Sequence, residues 1–144
     1  MDGSQPQRSD QDLGGAPEGL DALTVAERLK AEGGVGVFVS RDYARMGDFV
    51  QAFGFFSQDI EVIEFPAWDC LPYDRLSPSS SVSAERMAAL TKLAQRQPGD
   101  TRPTLVVTTV GAAIQRTPPR EVTSGAGFQT TVGLDLDTAA LERY

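Results

Sequence analysis

The chain has no histidine and a single cysteine, Cys70, in 144 residues. Without an imidazole, neither a histidine-assisted nucleophile nor a zinc site of the usual His/Cys composition can be assembled. One cysteine excludes an internal disulfide, which is compatible with a reducing compartment, and with acidic Asp69 beside it Cys70 reads as structural rather than reactive. Long apolar runs are also missing: none approaches the roughly 18 residues needed to span a bilayer. The first residues, with Asp, Gln, Ser and Pro, lack the charged start and apolar core of a secretion signal. A cytoplasmic protein with no membrane partner is expected. Positive charge is scarce, with 13 Lys and Arg against 20 Asp and Glu and a net charge of −7. Nucleic-acid-binding domains usually carry a basic stripe. Here Arg41 with Arg45, or Arg116 with Arg120, could form at most local patches, so direct DNA binding by this segment is not expected. Carboxylate pairs such as Asp59 with Glu61 or Asp135 with Asp137 read as solvated surface on an acidic protein. No Asp-Glu pair follows an apolar strand, as the metal- and water-positioning element of a P-loop ATPase requires. No catalytic residue and no metal ligand is therefore assigned.

What is present is a globular composition, 40% hydrophobic and 23% charged, sufficient for one domain of ordinary size. Helix-period and strand-like stretches alternate. Ala22, Val25, Ala26 and Leu29 share one helix face, and Gly33-Gly34 ends that helix. Residues 35–39 form a short apolar strand. Ser40 is expected to cap a second helix with Tyr43, Met46, Val50 and Phe53 inward and Gly54 at its end. Residues 60–65 are a second strand. Ser81 or Ser83 then opens a helix with Met87, Leu90 and Ala94 inward, closed by Pro98-Gly99, and residues 104–109 are a third, continuously apolar strand. Short strands separated by helices predict an α/β fold, a parallel sheet covered on both faces. A short helix at 110–116 is stopped by Pro118-Pro119. Beyond it the organisation changes: Phe128, Thr130 and Val132 alternate as in a half-exposed strand, and Asp137 can cap a helix of only eight residues, as in a piece of a longer chain. The expected division is a disordered leader at 1–18, an α/β domain at 19–122, and the start of a second small α+β domain at 127–144.

Two stretches carry possible function. Residues 14–21, GGAPEGLD, have the glycine spacing of a phosphate loop, G-x-x-x-x-G-K-[ST], at Gly14 and Gly19. Leu20 and Asp21 stand where the lysine and the magnesium-binding hydroxyl belong. An aspartate about 4 Å from a phosphate oxygen would repel it by roughly 1 to 4 kcal/mol. By composition alone the same glycines suit a flexible leader ending in a helix start. Residues 65–86, FPAWDCLPYDRLSPSSSVSAER, should form an ordered loop across strand ends, where α/β proteins place their sites. Trp68 and Tyr73 there either lid the core or mark a partner surface.

The second stretch resembles the W-[DE]-x-L-P-Y-D-x-x-S-P signature of the bacterial transcription-repair coupling factors (Mfd), at Trp68, Asp69, Leu71, Pro72, Tyr73, Asp74, Ser77 and Pro78. Residues 83–93, SAERMAALTKL, are similar to that family's S-x-R-L-x-x-L-x-x-L helix, with Arg86 as the arginine. Residues 104–119, TLVVTTVGAAIQRTPP, resemble its V-V-V-T-T-V-x-A-L-x-Q-R-x-P-P segment, including Gln115 and Arg116. The resemblance runs from about residue 14 to 144. It implies an incomplete P-loop-NTPase or helicase-like sheet of the UvrB domain 1a type, followed by the start of an inserted UvrA-binding-type domain. Coupling factors displace stalled RNA polymerase with an ATP- and Mg-dependent DNA translocase in their C-terminal half and recruit UvrA to nucleotide excision repair. The resemblance therefore implies a non-catalytic interaction and autoregulatory scaffold without a cofactor of its own. Its partners would be the remainder of the parent chain and, through the adjoining domain, UvrA, with RNA polymerase and DNA reached by other parts. UvrB itself has a working phosphate loop and an aromatic hairpin that clamps DNA. Here the lysine is missing, and the stretch from Tyr73 to Glu85 is too short for the hairpin. The alternative is part of a nucleotide-driven helicase whose divergent loop still binds ATP.

Overall fold

A computed structural model describes residues 14, 15, 17–70 and 77–125 of the chain. Its elements run α1 (Leu20–Glu32), β1 (Val35–Ser40), α2 (Tyr43–Phe56), β2 (Glu61–Phe65), α3 (Ser80–Ala94), β3 (Thr104–Thr109), α4 (Val110–Ala113) and α5 (Arg120–Gly125). The three strands form a parallel sheet in the order β1-β3-β2. The last strand is central and all six of its residues are buried, which accounts for its unbroken apolar and threonine character. The chain steps outward from β1 past the β3 position to β2 and returns through α3. Right-handed crossovers taken in opposite directions put their helices on opposite faces, and that is how α2 and α3 are placed.

Each helix explains part of the sequence. In α1, Ala22, Ala26 and Leu29 are buried as their spacing predicts. The helix turns into β1 through Gly33 and Gly34, both at positive φ (66° and 80°). At Gly33 a Cβ would meet the Thr101 carbonyl oxygen at 2.5 Å, so the close approach of α1 to the 100–103 loop needs glycine there. The α2 cap is Asp42, not Ser40: an Asp42 carboxylate oxygen accepts from the Arg45 N–H at 2.8 Å. β1 extends one residue further than expected, and the Ser40 hydroxyl donates to the Asp42 carbonyl. Nor does Gly54 end α2. An exposed glycine inside a helix costs about 1 kcal/mol, and the helix, anchored by the buried Phe49 and Phe53, continues through Phe56. Its inward row is Met46, Phe49 and Phe53, with Tyr43 exposed and Val50 half-buried.

The α3 helix begins earlier than expected, with Ser79 as cap, and buries Arg86 and Ala89. Met87, Leu90 and Ala94 are only half-buried. One face of the sheet packs Leu105, Val107, Val62 and Phe38 against α1 and α2, with the Phe38 and Phe49 rings stacked at 3.5 Å between centroids. On the other face α3 and α4 cover Ile63, Phe65 and Val106. Covering on this side is incomplete: Val35, Val37 and Val39, in register with Thr104, Val106 and Thr108, are 46%, 63% and 47% exposed. Among the described residues β1 is therefore covered on one face only. The helix expected over 110–116 is the single turn α4, ending at Ala113. After Pro118-Pro119 the chain forms α5, held on α3 by Arg120, which donates to the Ala94 and Arg96 carbonyls at 2.9 and 2.7 Å, and by Thr91, which donates to the Thr123 carbonyl. The expected second-domain residues Phe128, Thr130, Val132, Asp135 and Asp137 lie outside the described residues. Among the described residues no helix is long and apolar enough to cross a membrane.

Candidate functional site

The phosphate-loop spacing falls at the start of α1. Gly14 is exposed, and Gly19 takes a left-handed conformation (φ 87°) as the residue before the helix. The helix N-terminus, which in a working loop offers N–H groups to phosphate, is partly engaged with its own chain. The Leu20 N–H donates to the Pro17 carbonyl at 3.1 Å, the Ala22 N–H to the Asp21 carboxylate at 2.9 Å, and the Leu23 N–H to the Gly19 carbonyl at 3.1 Å. Asp21, in the place of the magnesium-binding hydroxyl, is ion-paired with Arg45 of α2, both side chains being half-buried. Because α2 starts at the end of β1, this pair fastens α1 to the carboxyl end of the sheet. Leu20, in the lysine place, is half-buried. Beside the loop lies a cleft of about 580 Å³ lined by Glu18, Gly19, Arg45, Asp48, Gln51, Ala52 and Phe55.

The signature residues converge at the carboxyl ends of β2 and β3. Arg86 projects from the second turn of α3 into the protein and is 1% exposed. Its guanidinium lies 4.2 Å from the Phe65 ring centroid and 4.3 Å from that of Trp68. Nη1 donates to the Pro66 carbonyl at 2.5 Å and to Gln115 Oε1 at 3.1 Å. That same Gln115 oxygen accepts from the Trp68 N–H at 2.9 Å. Among the described residues no carboxylate pairs with Arg86, and its Nε is buried without a partner. Burial lowers its pKa, with Tyr43 acting weakly in the opposite sense. Two aromatic faces supply the electrostatic compensation, a cation–π contact being worth about 2 kcal/mol or more when desolvated. Asp69 holds the start of α3: its two carboxylate oxygens accept from the Ser79 N–H at 3.1 and 3.3 Å, and Ser79 in turn caps the helix through the Val82 N–H. Hydrogen bonds from Ser79, side chain first and then backbone, keep the Asp69 pKa below its ordinary value.

Trp68, Asp69, Arg86 and Gln115 thus come together as one knot joining the loop after β2, the start of α3 and the end of α4. Arg116 is exposed. Pro78 and half-buried Cys70 line a second cleft with Trp68, Ile114 and Gln115, while Ser77 is exposed beside it. Leu71, Pro72, Tyr73 and Asp74 lie outside the described residues. Of the arginine patches considered from sequence, Arg41 is paired with Asp42, Arg45 with Asp21, and Arg120 with backbone carbonyls. Asp59 and Glu61 form no pair either, being bound separately to Lys30 and Lys92. Sequence reading placed Tyr43 inward on α2 and missed its actual role: its hydroxyl accepts from the Ala67 N–H at 2.6 Å and fixes the start of the signature loop. It also missed the Asp21–Arg45 pair; two residues 24 apart on different helices leave no local signal.

The fold and this knot define a small parallel α/β unit in which an internal ion pair, Asp21–Arg45, ties the start of α1 to α2. No family model matches the chain. Over 67 residues, 46% of the chain, it is 31% identical to a protein described as the transcription-repair-coupling factor of Rickettsia prowazekii (strain Madrid E). The matched stretch spans 6% of that relative's length.

Proposed function

We propose that the chain is the UvrB-like N-terminal part of a transcription-repair coupling factor and acts as a non-catalytic docking and autoregulatory scaffold in transcription-coupled nucleotide excision repair. The observation that carries this reading is the Asp21–Arg45 pair at the head of α1. A carboxylate stands where a phosphate loop needs a hydroxyl, and two of the otherwise free N–H groups at the helix start, those of Leu20 and Ala22, are already bonded to the chain itself. The distant likeness to a coupling factor and the knot at Trp68, Arg86 and Gln115 support the family reading. In this reading the parent protein carries the ATP- and Mg-dependent translocase elsewhere. UvrA is met through the adjoining domain, RNA polymerase and DNA through other parts, and the work is done in the cytoplasm.

Titration calorimetry of the chain with MgATP is expected to give no binding heat, and a micromolar magnesium-dependent signal would overturn the proposal in favour of a helicase half with a living nucleotide loop. Replacing Leu20→Lys together with Asp21→Thr is expected to restore no binding, because the change also frees Arg45 and loosens α1 from α2.

A further inference from the structure

The knot around Arg86 has an open side. Trp68, Pro78, Ile114, Gln115 and Arg116 line a cleft of about 650 Å³ at the carboxyl ends of β2 and β3, the end of the sheet where open α/β folds place their ligands. The orientation of the Gln115 carboxamide is fixed by its neighbours. Oε1 accepts from the Trp68 N–H at 2.9 Å and from Arg86 Nη1 at 3.1 Å, and both of those groups are donors only. The amide N–H groups therefore face away from the knot, and among the described residues they have no acceptor. Arg86, 1% exposed and with its Nε unbonded, touches two of the lining residues: its guanidinium bonds Gln115 and lies 4.3 Å from the Trp68 ring centroid. A buried charge at one end of the amide polarises it and strengthens the donors at the other. Beside Gln115, exposed Arg116 carries a second guanidinium with no ion pair or hydrogen bond among the described residues. The other walls are apolar, half-buried Trp68 and Pro78 with Ile114, 81% exposed, on the rim.

We propose that this cleft receives an acidic side chain with an apolar neighbour, presented by a partner protein. The carboxylate takes the Arg116 guanidinium and the Gln115 amide N–H groups, and the apolar side chain lies between Trp68 and Ile114. Charge complementarity selects this class of ligand. At the polar end of the cleft the unengaged groups of Gln115 and Arg116 are donors without an acceptor between them, and the nearest buried charge, Arg86, is positive. One exposed guanidinium and one amide match a single carboxylate. A nucleic-acid strand brings a charge with every nucleotide, and a molecule of net charge −7 repels it. Tryptophan and arginine around an exposed apolar residue are also the side chains from which protein interfaces draw most of their binding energy. The inference goes beyond the scaffold reading and does not depend on it, because no residue of the phosphate-loop position is among those of this cleft.

The test is a titration of the full 144-residue chain with acetyl-leucyl-glutamate amide, read by the fluorescence of Trp68, its only tryptophan. A saturable change in the millimolar range is expected, and acetyl-leucyl-glutamine amide, which lacks the charge, should bind about fivefold more weakly. Arg116→Gln, at an exposed side chain without a partner among the described residues, should keep the wild-type unfolding midpoint and reduce that preference to below about twofold. Ile114→Ser should weaken both probes about two- to threefold. No saturable change, equal affinity for the two probes, or a preference that Arg116→Gln leaves intact overturns the inference. So does an oligothymidylate that changes the Trp68 signal saturably and displaces the peptide probe, which assigns the cleft to nucleic acid. None of these outcomes touches the scaffold reading, which the MgATP calorimetry tests separately.

Discussion

Arg86 is a buried cation with two hydrogen-bond partners, two aromatic faces and no carboxylate among the described residues. Taking a charge out of water is costly, and a well-packed apolar residue of similar volume often replaces one at little loss. Arg86→Ala should lower the unfolding free energy by about 2 to 4 kcal/mol, because it opens a cavity between Phe65 and Trp68 and removes a donor to Gln115. Arg86→Met, which keeps the volume, should cost less than half as much in urea unfolding. Equal costs would mean that charge, not packing, is what the site requires. The carboxylates argue a pH dependence. Asp42, Asp59, Asp69 and Asp100 are all held below the ordinary 3.8, chiefly by the Arg45 N–H, the Lys30 ammonium, Ser79 and the Arg102 guanidinium respectively. A folded-state pKa below the unfolded one stabilises above the unfolded value, and the contribution is lost as pH falls through the folded value. The urea midpoint should therefore be flat from neutral pH to about pH 5 and fall steadily below about pH 4. Asp69→Asn should lower the neutral-pH midpoint and flatten this acid limb.

At the scale of elements, caps and turns separate what was readable from what was not. The α1 stripe and its glycine stop were legible because spacing and a left-handed turn are local properties. The α2 and α3 caps were placed two to four residues late or early, since several serines and an aspartate compete and only the N–H actually reached decides. Ser79→Ala is expected to cost about 1 kcal/mol and Ser83→Ala a few tenths at most, by thermal or urea unfolding. The two turn glycines should differ as well. Gly34→Ala meets open space and carries only the strain of its positive φ, about 1 kcal/mol, whereas Gly33→Ala adds the clash with the Thr101 carbonyl and should cost at least twice that. Equal losses at both positions would show that the 100–103 loop simply moves aside. The inward face of α3 was not legible, because an arginine in a helix pattern reads as polar surface. Only the aromatic rings of Phe65 and Trp68, brought from another element, make an interior place for it.

In the molecule as a whole, the unequal covering of the sheet is the main departure from expectation. Phe38 and Val37 are neighbours in one strand, yet Phe38 stacks on Phe49 while Val37 faces solvent. Phe38→Ala should cost about 3 kcal/mol. Val37→Thr should leave stability nearly unchanged and reduce self-association, measured by light scattering, since an exposed row of three valines on an edge strand invites pairing. A large loss of stability for Val37→Thr would mean that the face is covered in solution.

The amino-acid order by itself determined the alternation of helix and strand and the parallel α/β class, because periodicity, glycine placement and residue type at fixed spacing are local quantities. The tertiary structure alone decided that Asp21 is neutralised by Arg45, that Arg86 is interior, and that among the described residues none covers the Val35, Val37 and Val39 face of β1. Each of these depends on which surfaces distant elements bring together, and burial and charge compensation are properties of that meeting rather than of any segment.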